Sequence, residues 1–189
     1  MVDELYKLFT SANYADNAVT LAPLIDFGRP TLIDVGVLLD GQGVPDGPMN
    51  RFCLLNAPYF GGLKKDPAIV TLAAFQAKEI IEQGVLPDVE GFRVIKAVNL
   101  TANAGATVVG FAGSKSSAVI AARVDSDYAT ILPGSSYGNV SVVTDPDIGL
   151  SVLQVQYVNH QLATANQRIS FIFGVAKAQT KAGDVIKSQ

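Results

Sequence analysis

The sequence predicts an α+β fold with two lobes: a mixed α/β lobe over residues 25–130 and a sheet-rich lobe built from 1–24 and 131–189. Two patterns support this prediction. Helical apolar spacing alternates with short apolar strands through the middle of the chain, whereas two long runs of strand-like alternation around a polar turn occupy residues 149–177. Because both ends fall in the second lobe, we expect the chain to leave that lobe and return to it.

The composition indicates that the chain has more apolar surface than one copy can bury. Hydrophobic residues make up 49% of the 189 residues, and charged residues only 16%. Since large apolar patches on a protein surface usually mark contacts with partners, we expect the chain to associate with copies of itself. No apolar run approaches the ~20 residues that a membrane-spanning helix needs, so we expect no membrane partner.

The charge pattern argues against a dedicated nucleic-acid reader. The net charge is −3, the isoelectric point is about 5.0, and the basic residues are dispersed. Tight binding to a phosphate backbone needs several clustered Lys or Arg residues, so only weak, non-specific contact with DNA fits this composition. The single cysteine, Cys53, has no disulfide partner within the chain and lies in an apolar run, which predicts a buried thiol.

Two helices are predicted near the amino terminus. Residues 3–12 place Leu5, Leu8 and Phe9 at helical spacing. A second helix begins near Arg29, with Pro30 in its first turn, and ends at the glycine- and proline-rich segment 41–48. Its predicted apolar stripe consists of Leu32, Val35, Leu38 and Leu39.

The next elements are a buried strand over 51–55, a helix over 58–65 capped by Asn56, and a further helix over 69–83. Ser114 predicts the cap of another helix, 115–123, which contains Val119, Ile120 and several alanines. The remaining strands are predicted at residues 90–96, 107–111, 128–132 and 139–143.

The alternation in 149–177 predicts a long antiparallel hairpin. In its second run, Ile169, Phe171, Phe173 and Val175 share one face, and in its first run Leu153, Val155 and Tyr157 share a face. Strands of about ten residues give an arm on the order of 30 Å. Because two strands alone are marginally stable in water, we expect the Ile and Phe face to be covered by the first helix or by another copy, or else covered poorly.

One motif suggests a serine hydrolase. Residues 134–138 spell Gly-Ser-Ser-Tyr-Gly, and Ser136 is followed by Asp145, Asp147 and the only histidine, His160, in the chain order of the α/β-hydrolases. That fold needs a helix directly after the serine, whereas here a strand follows. A turn is therefore the preferred interpretation, and the hydrolase remains an alternative.

Three other patterns suggest ligand sites. Gly41, Gly43 and Gly47 follow a helix instead of preceding one, and residues 113–116 lack the first glycine of a P-loop. The carboxylate pairs Asp125/Asp127 and Asp145/Asp147 do not continue into a calcium loop. We therefore predict no catalytic, cofactor-binding or metal-binding residues and expect no enzymatic activity.

Five segments, taken in order, resemble the major capsid (coat, head) proteins of tailed bacteriophages, which have the Hong Kong 97-like fold. They are 31–51 (TLIDVGVLLDGQGVPDGPMNR), 52–66 (FCLLNAPYFGGLKKD), 84–94 (GVLPDVEGFRV), 109–118 (VGFAGSKSSA) and the closing sheet 147–176. The resemblance covers nearly the whole chain. Relatives also have an N-terminal arm, an extended loop and a long spine helix, of which we identify only a helix end at residues 3–12.

The resemblance implies an axial lobe over 25–130, a peripheral lobe over 1–24 and 131–189, and a structural role without catalysis. Copies would form hexamers and pentamers of an icosahedral head around double-stranded DNA, with scaffolding and portal proteins as further partners. The protein would be located in the virion, and in the host cytoplasm during assembly. Besides the hydrolase, a small oligomeric binding module remains a second alternative.

Overall fold

The computed structural model describes residues 2–17, 19–67, 69, 86–98, 100, 108–124, 139–146, 149–159 and 161–188. The helices within these ranges are α1 Val2–Tyr6, α2 Arg29–Gly41 and α3 Ala57–Lys65. The strands are β1 Thr20–Leu21, β2 Arg51–Leu55, β3 Arg93–Lys96, β4 Val108–Ser114, β5 Ala118–Arg123, β6 Asn139–Thr144, β7 Ser151–Asn159, β8 Thr164–Ser170, β9 Ile172–Lys177 and β10 Gly183–Lys187. Both helices and sheets are present, so the fold class is α+β, as predicted.

The chain divides into two compact units, whose bounds differ from those of the predicted lobes. Unit 1 contains Met1–Val119 and Ala176–Gln189, and unit 2 contains Ile120–Val175. Both chain ends therefore lie in the unit that contains the helices. The two chain ends belong to this unit because β1 and β10, which lie near them, are strands of the same sheet as β2 and β4.

Unit 1 is built on a five-stranded mixed sheet with the order β1-β10-β4-β2-β3. The central pairs β10–β4 and β4–β2 are antiparallel, whereas the outer pairs β1–β10 and β2–β3 are parallel. Strand β10 was not predicted, because its sequence Gly-Asp-Val-Ile-Lys has only two adjacent apolar residues and no alternation.

The sheet separates two hydrophobic clusters. Cys53 and Leu55 of β2 point to the cluster that contains residues of α2 and α3, while Leu54 points to the opposite cluster. Cys53 and Leu55 are both fully buried, as the apolar run predicted. Each fully buried Val, Leu or Phe contributes roughly 1.5–3 kcal/mol.

The opposite cluster contains the amino-terminal segment. Phe9 stacks on Phe111 of β4 with ring centroids 3.9 Å apart, and Tyr14 tilts against the same ring at 4.8 Å. The predicted helix over 3–12 is too long, because α1 ends at Tyr6. The chain then turns, with the Asn13 side-chain amide donating to the Leu8 carbonyl, and this turn directs Phe9 and Tyr14 into the core.

The predictions for α2, β2 and α3 are confirmed to within one residue. Pro30 lies in the first turn of α2. The Asn56 side chain accepts a hydrogen bond from the Tyr59 amide at 3.1 Å and caps α3, as expected. Strand β3 begins at Arg93, three residues later than predicted, and β4 extends to Ser114.

The predicted helix over 115–123 is wrong. Ser114 does cap a turn, accepting from the Ser116 amide at 3.2 Å, but the turn is a single 3-10 turn, Lys115–Ser117, followed by β5. The carbonyls of Ser116 and Ser117 accept from the amides of Gln179 and Ala178, each at 3.0 Å. These acceptors are therefore not available for helical bonds, and the chain continues as a strand paired with β9.

Unit 2 contains the antiparallel sheet β6-β7-β8. The predicted hairpin is confirmed as β7 and β8, with Asn159 paired to Thr164. The second run is interrupted at Phe171, however, and β9 pairs with β5 in a separate two-stranded sheet. The prediction of one continuous arm over residues 149–177 is therefore wrong, because the pairing of the second run with β7 ends at Ser170.

Two predicted elements fall largely outside the described residues. They are the helix over 69–83, of which only Ile69 is described, and the strand over 128–132.

Candidate interaction surfaces

Of the four predicted hydrolase residues, the structure describes Asp145 alone. Ser136, Asp147 and His160 lie outside the described residues. Asp145 lies in the turn between β6 and β7, where its amide donates to the Leu150 carbonyl and its carbonyl accepts from the Gly149 amide, each at 2.9 Å. The described role of Asp145 is thus backbone hydrogen bonding in a turn.

The glycine-rich segment after α2 is held by the side chain of Arg51. The Arg51 side chain is 2% exposed, and it donates to the carbonyls of Pro45 and Val44 at 3.0 and 2.5 Å and to Asp40 at 2.5 Å. The resemblance pointed only to an arginine that opens a strand. A buried charge needs partners, and the structure supplies them as two backbone carbonyls of the loop directly before Arg51 together with Asp40, which no motif in the sequence indicated.

The other predicted ligand motifs have structural roles or lie outside the described residues. Lys115 belongs to the 3-10 turn capped by Ser114, whereas Asp125 and Asp127 are not described. Among the described residues, no group of three or more His, Cys, Asp or Glu side chains is arranged to hold a metal ion. In the same part of the chain, no helix is long and apolar enough to cross a membrane.

The outer side of α2 forms an exposed apolar surface, which we call the α2 ridge. It consists of Ile33, Val37 and Leu38, which are 40%, 63% and 36% exposed. Leu38 was predicted in the buried stripe, but Leu32, Val35 and Leu39 fill that side of the helix and Leu38 faces outward. At 100° per residue, Asp34 lies between Val37 and Leu38 around the helix, and Asp40 continues the line of Ile33 and Val37 one turn further along it. The ridge is therefore apolar with two acidic residues beside it, of which Asp40 is paired with the buried Arg51 of its own chain.

A groove of about 880 Å³ lies along β3, the terminal strand of the sheet, and we call it the β3 groove. Its apolar lining includes Met49, which is 80% exposed, and Ile95, which is 41% exposed. Three basic residues, Arg93, Lys96 and Lys115, also line it. The groove thus combines an apolar surface with positive charge.

Unit 2 has exposed apolar residues as well. Leu153 and Val155 of β7 are 1% and 7% exposed, so these two residues of the predicted face of the first run are buried. Ile169 is paired with Gln154, which places it on the opposite face of the sheet, and it is 63% exposed. The amino-terminal segment, a predicted cover for this face, packs instead with its own aromatic residues in the core of unit 1.

Comparisons with known proteins were made by sequence and by structure. No protein-family model matches the chain. No curated protein sequence matches it either. Solved structures do match.

A structure described as Mycobacterium phage Che8 matches with a TM-score of 0.53 and 15% identity, over 97% of this chain and 55% of that one. The asymmetric unit of the bacteriophage PhiM1 mature capsid matches with a TM-score of 0.49 and 10% identity, over 100% of this chain and 59% of that one. The acidic stable capsid structure of Helicobacter pylori bacteriophage KHP30 matches with a TM-score of 0.45 and 14% identity, over 98% of this chain and 63% of that one.

The chain therefore spans between 55% and 63% of the length of these three structures. The Che8 match extends over nearly the whole chain, through both units. At this identity it is a likeness of fold. The chain has the fold of the tailed-phage major capsid proteins, the Hong Kong 97-like fold.

Proposed function

We propose that the chain is a structural subunit of a tailed-phage or prophage head, whose copies assemble into the capsomers of an icosahedral shell. The observation that supports this most strongly is the fold, which matches the Che8 structure over 97% of the chain. Fold alone does not determine function, so the surfaces have to support the same conclusion.

The exposed apolar residues support an assembling subunit. The α2 ridge in unit 1 and Ile169 in unit 2 leave large aliphatic side chains exposed, with Val37 and Ile169 each 63% exposed. The adjacent Ile33, Val37 and Leu38 of the α2 ridge form a contiguous apolar patch, and such patches indicate contacts with partners, which bury them. Repeated contacts between different surfaces of identical copies generate closed rings, as a capsomer requires.

The proposed subunit has no catalytic activity, and its partners are copies of itself together with scaffolding and portal proteins. With a net charge of −3 it would make only weak, non-specific contact with packaged double-stranded DNA. The subunit would be present in the host cytoplasm during assembly and in the capsid of the virion afterwards. We assign the axial and peripheral roles to residues 25–130 and to 1–24 with 131–189, as the resemblance implies.

Negative-stain electron microscopy and sedimentation velocity of the purified 189-residue chain test this proposal. We expect capsomer-sized rings, tubes or shells whose abundance rises with protein concentration. A chain that remains monomeric at every concentration and salt condition would contradict the proposal. An ester-hydrolysis assay of the same preparation, with Ser136→Ala as control, would reveal the alternative enzyme if turnover is saturable and lost in the variant.

A further inference from the structure

The α2 ridge and the β3 groove have opposite charge. Asp34 and Asp40 are the only acidic residues of α2, and its single basic residue, Arg29, lies at its first position. The β3 groove contains Arg93, Lys96 and Lys115, with Asp88 as its acidic lining residue. Arg51, which also lines the groove, is paired with Asp40 and Asp46 of its own chain, so Asp34 supplies the negative charge of the ridge that its own chain does not pair with Arg51.

The two surfaces also match in their apolar parts. A helix of 13 residues is about 20 Å long, and the α2 ridge exposes Ile33 and Val37 one turn apart along it. The β3 groove exposes Met49 and Ile95 within a volume of about 880 Å³. Pockets of about this volume are large enough to bury a few aliphatic side chains. Both surfaces therefore combine exposed apolar side chains with charged ones.

We propose that the α2 ridge of one copy docks into the β3 groove of a second copy of this chain. This inference rests on the proposed function and specifies which surfaces mediate self-association. Charge complementarity identifies a second copy as the occupant, because an acidic ridge and a basic groove are both present in unit 1. Two ridges would repel each other through Asp34, and two grooves would repel through Lys96 and Arg93.

The contact is heterologous, since it joins two different surfaces. Each copy then offers one free ridge and one free groove, so association continues until the ring closes. The apolar side chains would contribute most of the affinity, and the charged side chains would fix the orientation and exclude the wrong pairing.

The first test compares Val37→Lys with Val2→Lys. Both valines are exposed, at 63% and 54%, and both lie on helices of unit 1, so neither change disturbs the core. A lysine at position 37 removes the apolar contact and repels the basic groove, so sedimentation velocity should show that Val37→Lys lowers the self-association constant about tenfold or more, while Val2→Lys leaves it within about twofold of the parent chain. Equal association of the two variants would overturn the inference but leave the proposed function intact.

The second test uses charge reversal and mixing. Asp34→Lys and Lys96→Glu should each weaken association several-fold at low salt, and the loss should shrink at high salt. An equimolar mixture of the two variants should restore association at low salt. In the mixture, the lysine introduced at position 34 of one copy meets the glutamate introduced at position 96 of the other. Failure of the mixture to recover association at low salt would contradict the proposed pairing.

Disulfide trapping tests the contact even where association is weak. A double variant, Val37→Cys with Met49→Cys, should form a ladder of crosslinked multimers under oxidation, whereas neither single variant should. Cys53 is fully buried and does not contribute. Crosslinked dimers of Val37→Cys alone would indicate contact between two ridges and would overturn the inference. Absence of any multimer, in trapping and in sedimentation alike, would count against the proposed function itself.

Discussion

Phe9 and Phe111 stack nearly parallel, with ring centroids 3.9 Å apart and 15° between the ring planes. This contact joins the amino-terminal segment to the centre of the five-stranded sheet, because Phe111 lies on β4 and is paired with Leu54 and Val185 on its two sides. The first residues of the chain are therefore part of the core of unit 1, not a loose extension of it.

Replacing Phe9 with alanine should destabilise the chain by about 3–5 kcal/mol, because a fully buried aromatic ring is lost and a cavity remains. Phe9 is 1% exposed, and Tyr14 also packs against its ring. Urea denaturation gives the free energy of unfolding. Phe171→Ala is the control, since Phe171 is 39% exposed and its removal, including its stacking on Phe173, should cost only about 1–2 kcal/mol. Equal losses in the two variants would disprove the role assigned to Phe9.

Arg51→Met should cost about 2–6 kcal/mol of stability, since it leaves two loop carbonyls without their donor at about 1–3 kcal/mol each. Asp40→Asn should cost about 1 kcal/mol or less, because the Asp40 side chain is 61% exposed and an amide oxygen can still accept from Arg51. Thermal unfolding of the two variants, measured side by side, shows which substitution lowers the stability more. If Asp40→Asn were the more damaging change, the ion pair and not the carbonyl contacts would organise the loop.

Asp184 makes stability depend on pH. Its side chain is 1% exposed, and burial raises its pKa to about 6 from 3.8, although Thr20 donates to one oxygen at 2.6 Å. Because the folded-state pKa is the higher one, the stability contribution is complete below pH 3.8 and is lost as pH rises through 6. The loss amounts to about 3 kcal/mol.

Asp184→Asn should remove this part of the pH dependence. Denaturant unfolding at pH 4 and pH 7 should show a smaller difference in the variant than in the parent chain, because asparagine does not titrate. An unchanged difference between the two pH values would show that Asp184 is not the group responsible.

Cys53 should not react with thiol reagents in the folded chain. It is fully buried, and burial raises the pKa of its thiol to about 12, with the nearby Asp184 carboxylate adding to the effect. The reactive thiolate is therefore absent at neutral pH. Labelling with a chromogenic disulfide should follow the fraction of unfolded chain in urea. Rapid, complete labelling without denaturant would contradict the described burial.

Elements with local signals were predictable from the sequence. Pro30 and Asn56 mark the starts of α2 and α3 through their own geometry and hydrogen bonding, so the predicted starts of both helices agree with the structure to within one residue. The apolar run of β2 likewise identified a buried strand and a buried Cys53.

Elements set by distant partners were not predictable. Residues 118–123 have helix-compatible alanines, but they pair with β9, a strand that lies far away in the sequence, and form a two-stranded sheet. Strand β10 lies between β1 and β4, and nothing in its five residues reveals those neighbours. The α2 ridge illustrates the same limit, because α2 is apolar on nearly all sides and only tertiary packing shows that Leu32 faces inward and Val37 outward.

Native mass spectrometry of the purified 189-residue chain tests the central claim most directly, because it counts the copies in each assembly. A capsid subunit with heterologous contacts should give closed rings of five or six copies and larger assemblies built from them. A spectrum containing only monomers, or only closed dimers at every concentration, would contradict the account.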